Sequence, residues 1–484
     1  MTVQAIPTRG GISARAAILA YLCVCGLVLL IMMLLGLTMR LAQAQWIDLQ
    51  PDFFYVVMTM HGAGMVGIAG LSGATVMWYF VRRHVPVSTA VFIANLVFFL
   101  IGALFILGSG FIGGFGAAWT FLFPLPAHSG SLWSDNAAAA YMVGLLFIGV
   151  GFLLLHLDIA QGILSVYGGL GAALGVKVAF GLAPEEDGPP PAVTASTMVL
   201  IVNILGILLG AAVLVVSLVN LYVPSFTFNA LVAKNMIYFF GHVFINASIY
   251  MAVIAVYEIL PVYTHRKWKT NRAFYMAWVL STVFVLIVYP HHLLMDFAMP
   301  TWVLIIGQVV SWLSGLPVLL VTAFGTLTNT YKSGIKWSVA AGLVFVGAAG
   351  WAIGVIPAIA DGTIEVNSVM HNTQWVPGHF HTYLLLGEIA MFLGFLTYIT
   401  PRSESFWAPA GFWLYITGGS VFVLAFLSAG AASVPRRYAA HLPEWLPYDR
   451  AGSIGAALAI LGVLILVLRF LVRVPSAARE DAAA

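Results

Sequence analysis

The string HNTQWVPGHFH, residues 371–381, places three histidines within a few turns of chain. Neutral imidazoles ligate borderline transition metals and haem iron. His379 and His381 are separated only by Phe380. On a helix, residues i and i+2 point about 200° apart. The two rings therefore face opposite sides and can serve two centres separated by little more than the helix backbone. His291 and His292 form an adjacent pair about 100° apart, able to converge on one ion with a third imidazole. His242, in GHVFIN, is the natural third. Three imidazoles with an open position suit copper, zinc or iron. His61, in MHGAGM, can then pair with one of His379 and His381 as the axial ligands of a haem. The other would be the sole protein ligand of a second haem, whose free face looks at the three-histidine metal.

Such a layer needs elements that bring four distant stretches to one depth. The chain of 484 residues is 62% hydrophobic and 8% charged, with a mean hydropathy of +1.01, which excludes a soluble globular protein. Apolar runs near the length needed to cross about 30 Å of hydrocarbon recur throughout. They fall at approximately 16–39, 52–81, 89–112, 136–160, 196–222, 231–262, 271–297, 301–329, 336–358, 371–400, 409–432 and 452–473. The expected fold is an all-α polytopic membrane protein with twelve transmembrane helices, forming a single domain over 1–484, because a bilayer requires backbone groups to be satisfied within each span. Alternating directions put His61, His242, His291, His292, His379 and His381 between roughly 7 and 14 Å below one surface, at 1.5 Å per residue. Polar groups at that depth are expensive and mark function.

Basic loops set the orientation. VRRH, THRKWKTNR, TYKSGIKW and the terminal RFLVR fall on one side if both termini are cytoplasmic, and Arg9 and Arg15 precede a first apolar run too long for a signal peptide. The expected location is the cell's inner (plasma) membrane. Only VPRRYAAHLPEW breaks the charge rule on the opposite side. The stretch APEEDGPPPAV (183–193) reads as a flexible linker. Cys23 and Cys25, at i and i+2, point apart and read as core residues.

These motifs resemble those of catalytic subunit I of the haem-copper oxidase superfamily along essentially the whole chain. HNTQWVPGHFH and VPRRY look most like the B-type branch. The resemblance implies that His61 and His381 hold a low-spin haem, His379 a high-spin haem, and His242, His291 and His292 a copper. It implies that Arg436 and Arg437 bind haem propionates, which explains their position, with His371 and Trp375 flanking them. Proton-path roles are implied for Tyr257, Thr322 and Thr326; Val253 and Gly325 stand where relatives keep hydroxyls. Glu258, at the inner end of the sixth segment, is a candidate proton entry, and Glu388 in mid-membrane a further one.

The departures bear on substrate. Oxygen-reducing members of the superfamily carry a tyrosine four residues after the first copper histidine, supplying a proton and an electron when O–O breaks. Here that residue is Asn246. Another branch supplies the tyrosine from the seventh segment, where this chain has Val285, with Tyr289 nearby. Reduction of NO does not need it, and the Asn246 amide oxygen could ligate the metal or bond a bound NO. The preferred expectation is a nitric oxide reductase resembling members that lack the tyrosine, with cytochrome c oxidase-like reduction of O2 as the alternative. A plain dihaem cytochrome has no use for the His291–His292 pair, and a transporter would show broken helices and midplane charges. The chain shows no soluble cytochrome domain and no copper-binding cysteine motif. A small membrane subunit with an outward copper or haem domain is therefore expected as partner, fed by cytochrome c or a cupredoxin.

Overall fold

A computed structural model describes residues 13–118, 123, 127–400 and 406–479. Arg9 lies outside the described residues. Twelve helices are long and apolar enough to cross a membrane. They are α1 (Ala14–Gln43), α2 (Pro51–Val81), α3 (Thr89–Phe111), α4 (Asp135–Tyr167), α5 (Pro191–Tyr222), α6 (Ala230–Thr264), α7 (Arg272–Leu293), α8 (Thr301–Thr330), α9 (Val339–Asp361), α10 (Trp375–Ile399), α11 (Trp407–Ala431) and α12 (Leu446–Arg479). Among the described residues there is no strand, only an isolated bridge between Thr373 and Pro435.

The starts obey local chemistry. The side chains of Ser13, Ser88, Ser134, Asn229, Asn271 and Ser338 each accept a backbone N–H in the first turn of α1, α3, α4, α6, α7 and α9, satisfying donors that helix geometry leaves unpaired. Small residues let helices approach without a hydrophobic drive in lipid. A Cβ on Gly102 would lie 2.4 Å from the Gly144 carbonyl, and one on Gly144 2.7 Å from the Gly102 carbonyl. This contact locks α3 to α4.

Three helices depart from regular geometry near the histidines. The α-helical part of α7 ends at Ile287, and Tyr289–Leu293 is a 3-10 turn around Pro290, which lacks a donor. α8 breaks at Gly315, between Thr301–Ser314 and Leu316–Thr330, just before Pro317. In α10, Thr382–Ile389 is π-helical immediately after His381; such bulges concentrate at functional sites. The expected tenth segment began at 371, but α10 starts at Trp375, behind a short helix Ile364–Met370. The stretch 183–193 is no flexible linker. It contains a 3-10 turn at Glu185–Asp187, the Arg272 N–H donates to Glu185 Oε1 at 2.7 Å, and the Tyr275 hydroxyl donates to the Pro189 carbonyl at 2.9 Å. Partners 80 to 90 residues away, invisible to local composition, tie it down.

Candidate metal centre

α2, α6 and α10 begin at the end of the bundle where α7 finishes, so the early turns of three helices and the last turn of a fourth share one layer. One cavity of about 540 Å³ is bordered by all six histidines expected to ligate, and by Asn246, His371, Arg436 and Arg437.

The first cluster is His61 and His381. Their ring centroids lie 6.4 Å apart with planes 12° from parallel. Two metal–nitrogen bonds of about 2 Å, plus roughly 1.2 Å from each nitrogen to its ring centre, reach the same span, so one iron fits between them. The Nδ1 of His61 lies 2.7 Å from the Met32 carbonyl, and that of His381 2.6 Å from the Pro377 carbonyl. Each Nδ1–H donates to its carbonyl, which leaves Nε2 with the lone pair and fixes ring orientation. Phe426 stacks on His381 at 5.4 Å and Phe422 meets it edge-on at 5.1 Å. Gly36 passes so close that a Cβ there would lie 2.7 Å from the His61 ring.

His379 faces the other way, as its spacing predicted. Its Nε2 lies 3.9 Å from Asp361 Oδ2 on α9, beyond hydrogen-bonding range, and its ring meets Tyr383 edge-on at 6.2 Å. Its Nδ1 is buried without a hydrogen-bond partner among the described residues. A lone imidazole on the cavity wall suits a haem held by one protein ligand.

The third cluster is His242, His291 and His292, whose ligand nitrogens lie within 4.8 Å of one another. His242 Nδ1 is 3.0 Å from His292 Nε2. His291 Nδ1 is tied to Ser311 Oγ at 2.8 Å, leaving its Nε2 for a metal. The 3-10 turn of α7 supplies the splay that lets two adjacent residues converge. Three imidazoles with no carboxylate or thiolate fit copper, or zinc, in an open site.

Asn246 is not placed as a fourth ligand, against the expectation for its amide oxygen. Its carboxamide nitrogen sits 2.9 Å from His242 Nε2 and 3.0 Å from the His242 carbonyl. Residues i and i+4 stack along a helix, so the amide meets the far nitrogen of the imidazole rather than the metal side. A metal on Nδ1 would move the ring proton to Nε2, and a rotated amide would then accept it. Tyr289 is likewise turned away. Its hydroxyl donates to Asn235 Oδ1 at 3.0 Å and its ring packs on Phe239. The phenol that does pack on the triad is Tyr238, one turn before His242, at 5.8 Å from His292 and 21° from parallel. Its i−4 spacing from His242 is the one signal of this contact in the sequence.

Arg436 and Arg437 stand in the turn after α11. That turn is clamped to the lead-in of α10: Arg436 N–H donates to the Asn372 carbonyl at 2.9 Å, and Gln374 N–H to the Val434 carbonyl at 2.8 Å. Arg437 adopts a φ of +67°, in the left-handed region. The Arg436 Nε and His371 Nδ1 are buried without hydrogen-bond partners among the described residues, donors suited to an anionic group. Burial and the adjacent Arg437 lower Arg436 to about 10, so it stays cationic at neutral pH. Burial, then Arg436 and Arg437, lower His371 to about 4, so its ring is neutral. The Trp375 indole N–H donates to the Pro357 carbonyl at 3.1 Å. Arg436→Ala is expected to lower the reduction potential of at least one bound haem by about 50 mV, since 59 mV corresponds to 1.4 kcal/mol for one electron, and a lost cation disfavours the more negative reduced state. Redox titration checks it; unchanged potentials in Arg436→Ala and Arg437→Ala would make the pair an ordinary loop feature.

Of the expected proton-path residues, Tyr257 and Thr322 meet at 2.6 Å. Thr326 lies one turn further from the cavity, and Glu258 Oε2 is 4.0 Å from Arg83. None of the four borders the cavity. Glu388 is fully buried and accepts from Ser248 Oγ at 3.0 Å. A charged cluster went unread in the sequence: Arg40 Nη2 pairs with Asp449 Oδ1 at 2.8 Å, His441 Nδ1 with Asp449 Oδ2 at 2.7 Å, and Arg40 lies 4.6 Å over Phe426. Its only signal was two charges at the ends of apolar runs.

Comparison with known proteins agrees with this geometry. The family described as "Cytochrome C and Quinol oxidase polypeptide I" matches residues 16–458. Cytochrome c oxidase subunit 1 of Thermus thermophilus is 26% identical over 269 residues, 50% of this chain and 47% of that protein. A probable quinol oxidase subunit 1 of Staphylococcus aureus is 25% identical over 256 residues, 48% and 36% of the two chains. The chain thus spans about half the length of the first relative, or less of the other. A cryo-EM structure of a heme-copper terminal oxidase dimer superposes with a TM-score of 0.75 at 20% identity, covering 96% of this chain and 84% of that one, a likeness of fold.

Proposed function

The chain belongs to the cytochrome c and quinol oxidase polypeptide I family, and from that premise we propose that it is the catalytic subunit of a B-type haem-copper terminal reductase whose substrate is nitric oxide. His61 and His381 would hold a low-spin haem, His379 a high-spin haem, and His242, His291 and His292 a copper. Once bound, these groups supply the electrons and the Lewis-acid binding of substrate. The reaction, 2 NO + 2 e⁻ + 2 H⁺ → N2O + H2O, asks the protein for orientation, protons and an electron source.

The observation that carries the choice of substrate is the Asn246 carboxamide docked on His242 Nε2 at 2.9 Å. An amide there fixes the imidazole but cannot deliver an electron and a proton to a breaking O–O bond, as a phenol can. Val285 is buried and apolar, and Tyr289 is engaged with Asn235. Coupling two NO needs only two electrons. The family name and the named relatives point to O2, and Tyr238 against His292 is the observation that favours this second reading.

The cavity's arginine end would face outward, with both termini cytoplasmic in a plasma membrane. A small membrane subunit with an outward copper or haem domain would deliver electrons from cytochrome c or a cupredoxin. Protons would enter at the opposite end near Glu258 and move along Thr326, Thr322 and Tyr257. Glu388 would serve as a buried carboxyl in reserve or as a helix–helix hydrogen bond.

The test is turnover of one purified preparation with NO and with O2, using the same electron donor. N2O, by gas chromatography, should form faster than O2 is taken to water, and O2 turnover should leak peroxide. Rapid peroxide-free O2 consumption with negligible N2O would end the NO reading. If Tyr238→Phe then abolished that consumption, the O2 reading would rest on Tyr238.

A further inference from the structure

The Tyr257–Thr322 pair stops short of the metal cavity, and Val253, one turn nearer on α6, is buried and offers no polar side chain. We propose that Tyr250 and Ser281 complete the proton route from Tyr257 to the cavity, in place of the hydroxyl missing at residue 253. The inference rests on reading Thr326, Thr322 and Tyr257 as the start of that route.

Tyr250 precedes Tyr257 by seven residues, two turns of α6, so the two phenols share a helix face about 10.5 Å apart. Tyr250 is 2% exposed and borders the cavity that holds the six histidines. It is therefore the member of the pair that reaches the site. Ser281 lies one turn along α7 from Trp278, on which Tyr250 packs, and makes no direct hydrogen bond to the Tyr250 hydroxyl. Between the phenols stands Trp278, one turn from Ser281, with its ring edge-on to both, 5.4 Å from Tyr250 and 6.2 Å from Tyr257. Ser281 Oγ and Trp278 Nε1 are buried and have no hydrogen-bond partner among the described residues, as is true of Thr326 Oγ1 below Thr322.

Unpartnered buried polar atoms are rare, because each costs about 1–3 kcal/mol unless satisfied. Proteins satisfy them with internal water where there is room and polarity. Three such atoms, interleaved with Tyr250, Tyr257 and Thr322, give the side of α6 that faces α7 and α8 a continuous run of polar groups. The run continues away from the cavity to Thr264, which donates to Asn329 Oδ1 at 2.6 Å, and Asn329 Nδ2 donates to the Arg266 carbonyl at the basic α6–α7 loop. A proton moves along it by relay. Each hydroxyl accepts a proton from the neighbour behind and releases its own to the one ahead, and water beside Trp278, whose indole N–H only donates, would carry the proton across the gap from Tyr257 to Ser281 and Tyr250, so no group changes composition after passage. Packing alone gives no reason for the Tyr250 hydroxyl at a cavity wall: its ring contacts with Trp278 and Trp351 would be kept by phenylalanine.

The experiment uses the purified enzyme in sealed vesicles, with a pH dye on the side that Tyr257 approaches and electrons injected for a single turnover. Tyr250→Phe and Ser281→Ala should each slow proton uptake from that side by about 100-fold, the low end of what a positioned acid–base group contributes. Haem spectra and copper content should be unchanged. Val253→Tyr introduced into Tyr250→Phe should restore uptake. If Tyr250→Phe takes up protons at the wild-type rate while Tyr257→Phe is slow, the inference falls and the ladder below it stands. If both are fast, the ladder itself falls and the inference with it. Slow uptake in Tyr250→Phe accompanied by altered haem spectra and no rescue by Val253→Tyr would make Tyr250 a packing residue and overturn the relay.

Discussion

His381→Ala enzyme is expected to lose the low-spin haem completely while its copper content stays at the wild-type level. His381 and His61 are the two members of a pair whose 6.4 Å spacing admits one iron, and they come from α10 and α2. The three histidines proposed to hold copper come from α6 and α7, with Ser311 of α8 behind them, so no ligand is shared. Removing one of two axial ligands also leaves a space between Phe422 and Phe426, which pack on the ring. Internal electron transfer should stop, and turnover should fall to background. His61→Ala is expected to behave the same way. A gentler variant tests the same geometry from the other side: Gly36→Ala keeps both ligands but drives a methyl to 2.7 Å from the His61 ring. It should broaden or shift the low-spin haem spectrum without emptying the site. Optical spectra combined with copper analysis decide the matter. Loss of the high-spin haem with retention of the low-spin haem would mean that the two faces of α10 have been assigned the wrong way round.

His242→Ala is expected to strip the copper, keep both haems, and reduce turnover by at least about 10³-fold, the upper end of what losing one preorganised electrostatic donor costs. The three ligand nitrogens lie within 4.8 Å of one another, so two remaining imidazoles leave an incomplete site, and His292 loses the partner 3.0 Å from its Nε2. Ser311→Ala separates ligation from orientation. It leaves every ligand in place and removes only the hydroxyl bonded to His291 Nδ1. Copper affinity should drop by about 10- to 100-fold, the usual effect of losing such an outer partner. Competition with a chelator reads that affinity without turnover. Full copper occupancy in His242→Ala would show that the triad is not the metal site.

Much of this protein is legible in its sequence, because a bilayer removes alternatives. With no water to satisfy backbone groups, each apolar run must close its own hydrogen bonds, so twelve runs became twelve helices. Alternating direction and a fixed rise per residue then set depth, which is why six histidines from four segments could be placed in one layer before any contact was known. The i, i+2 spacing of His379 and His381 likewise fixed that they diverge, since the angle between them belongs to the helix itself.

What a helix cannot specify is which neighbour each face meets. Spacing alone left His379 and His381 equivalent as partners for His61; the packing of α2 and α11 against α10 put His381 opposite His61. The rotamer of Asn246 followed its own i−4 neighbour and turned from the metal to His242, and the 3-10 turn around Pro290 aimed Tyr289 at Asn235. The acidic, proline-rich stretch 183–193 reads as loose because composition counts only local partners, yet Arg272 and Tyr275 of α7 hold it. Arg40, some four hundred residues before His441 and Asp449, joined them in one buried cluster only when α12 packed on α1. Tyr250 gained its place beside the cavity in the same way: its two-turn spacing from Tyr257 was visible in the sequence, but only the packing of α7 on α6 set Trp278 between them.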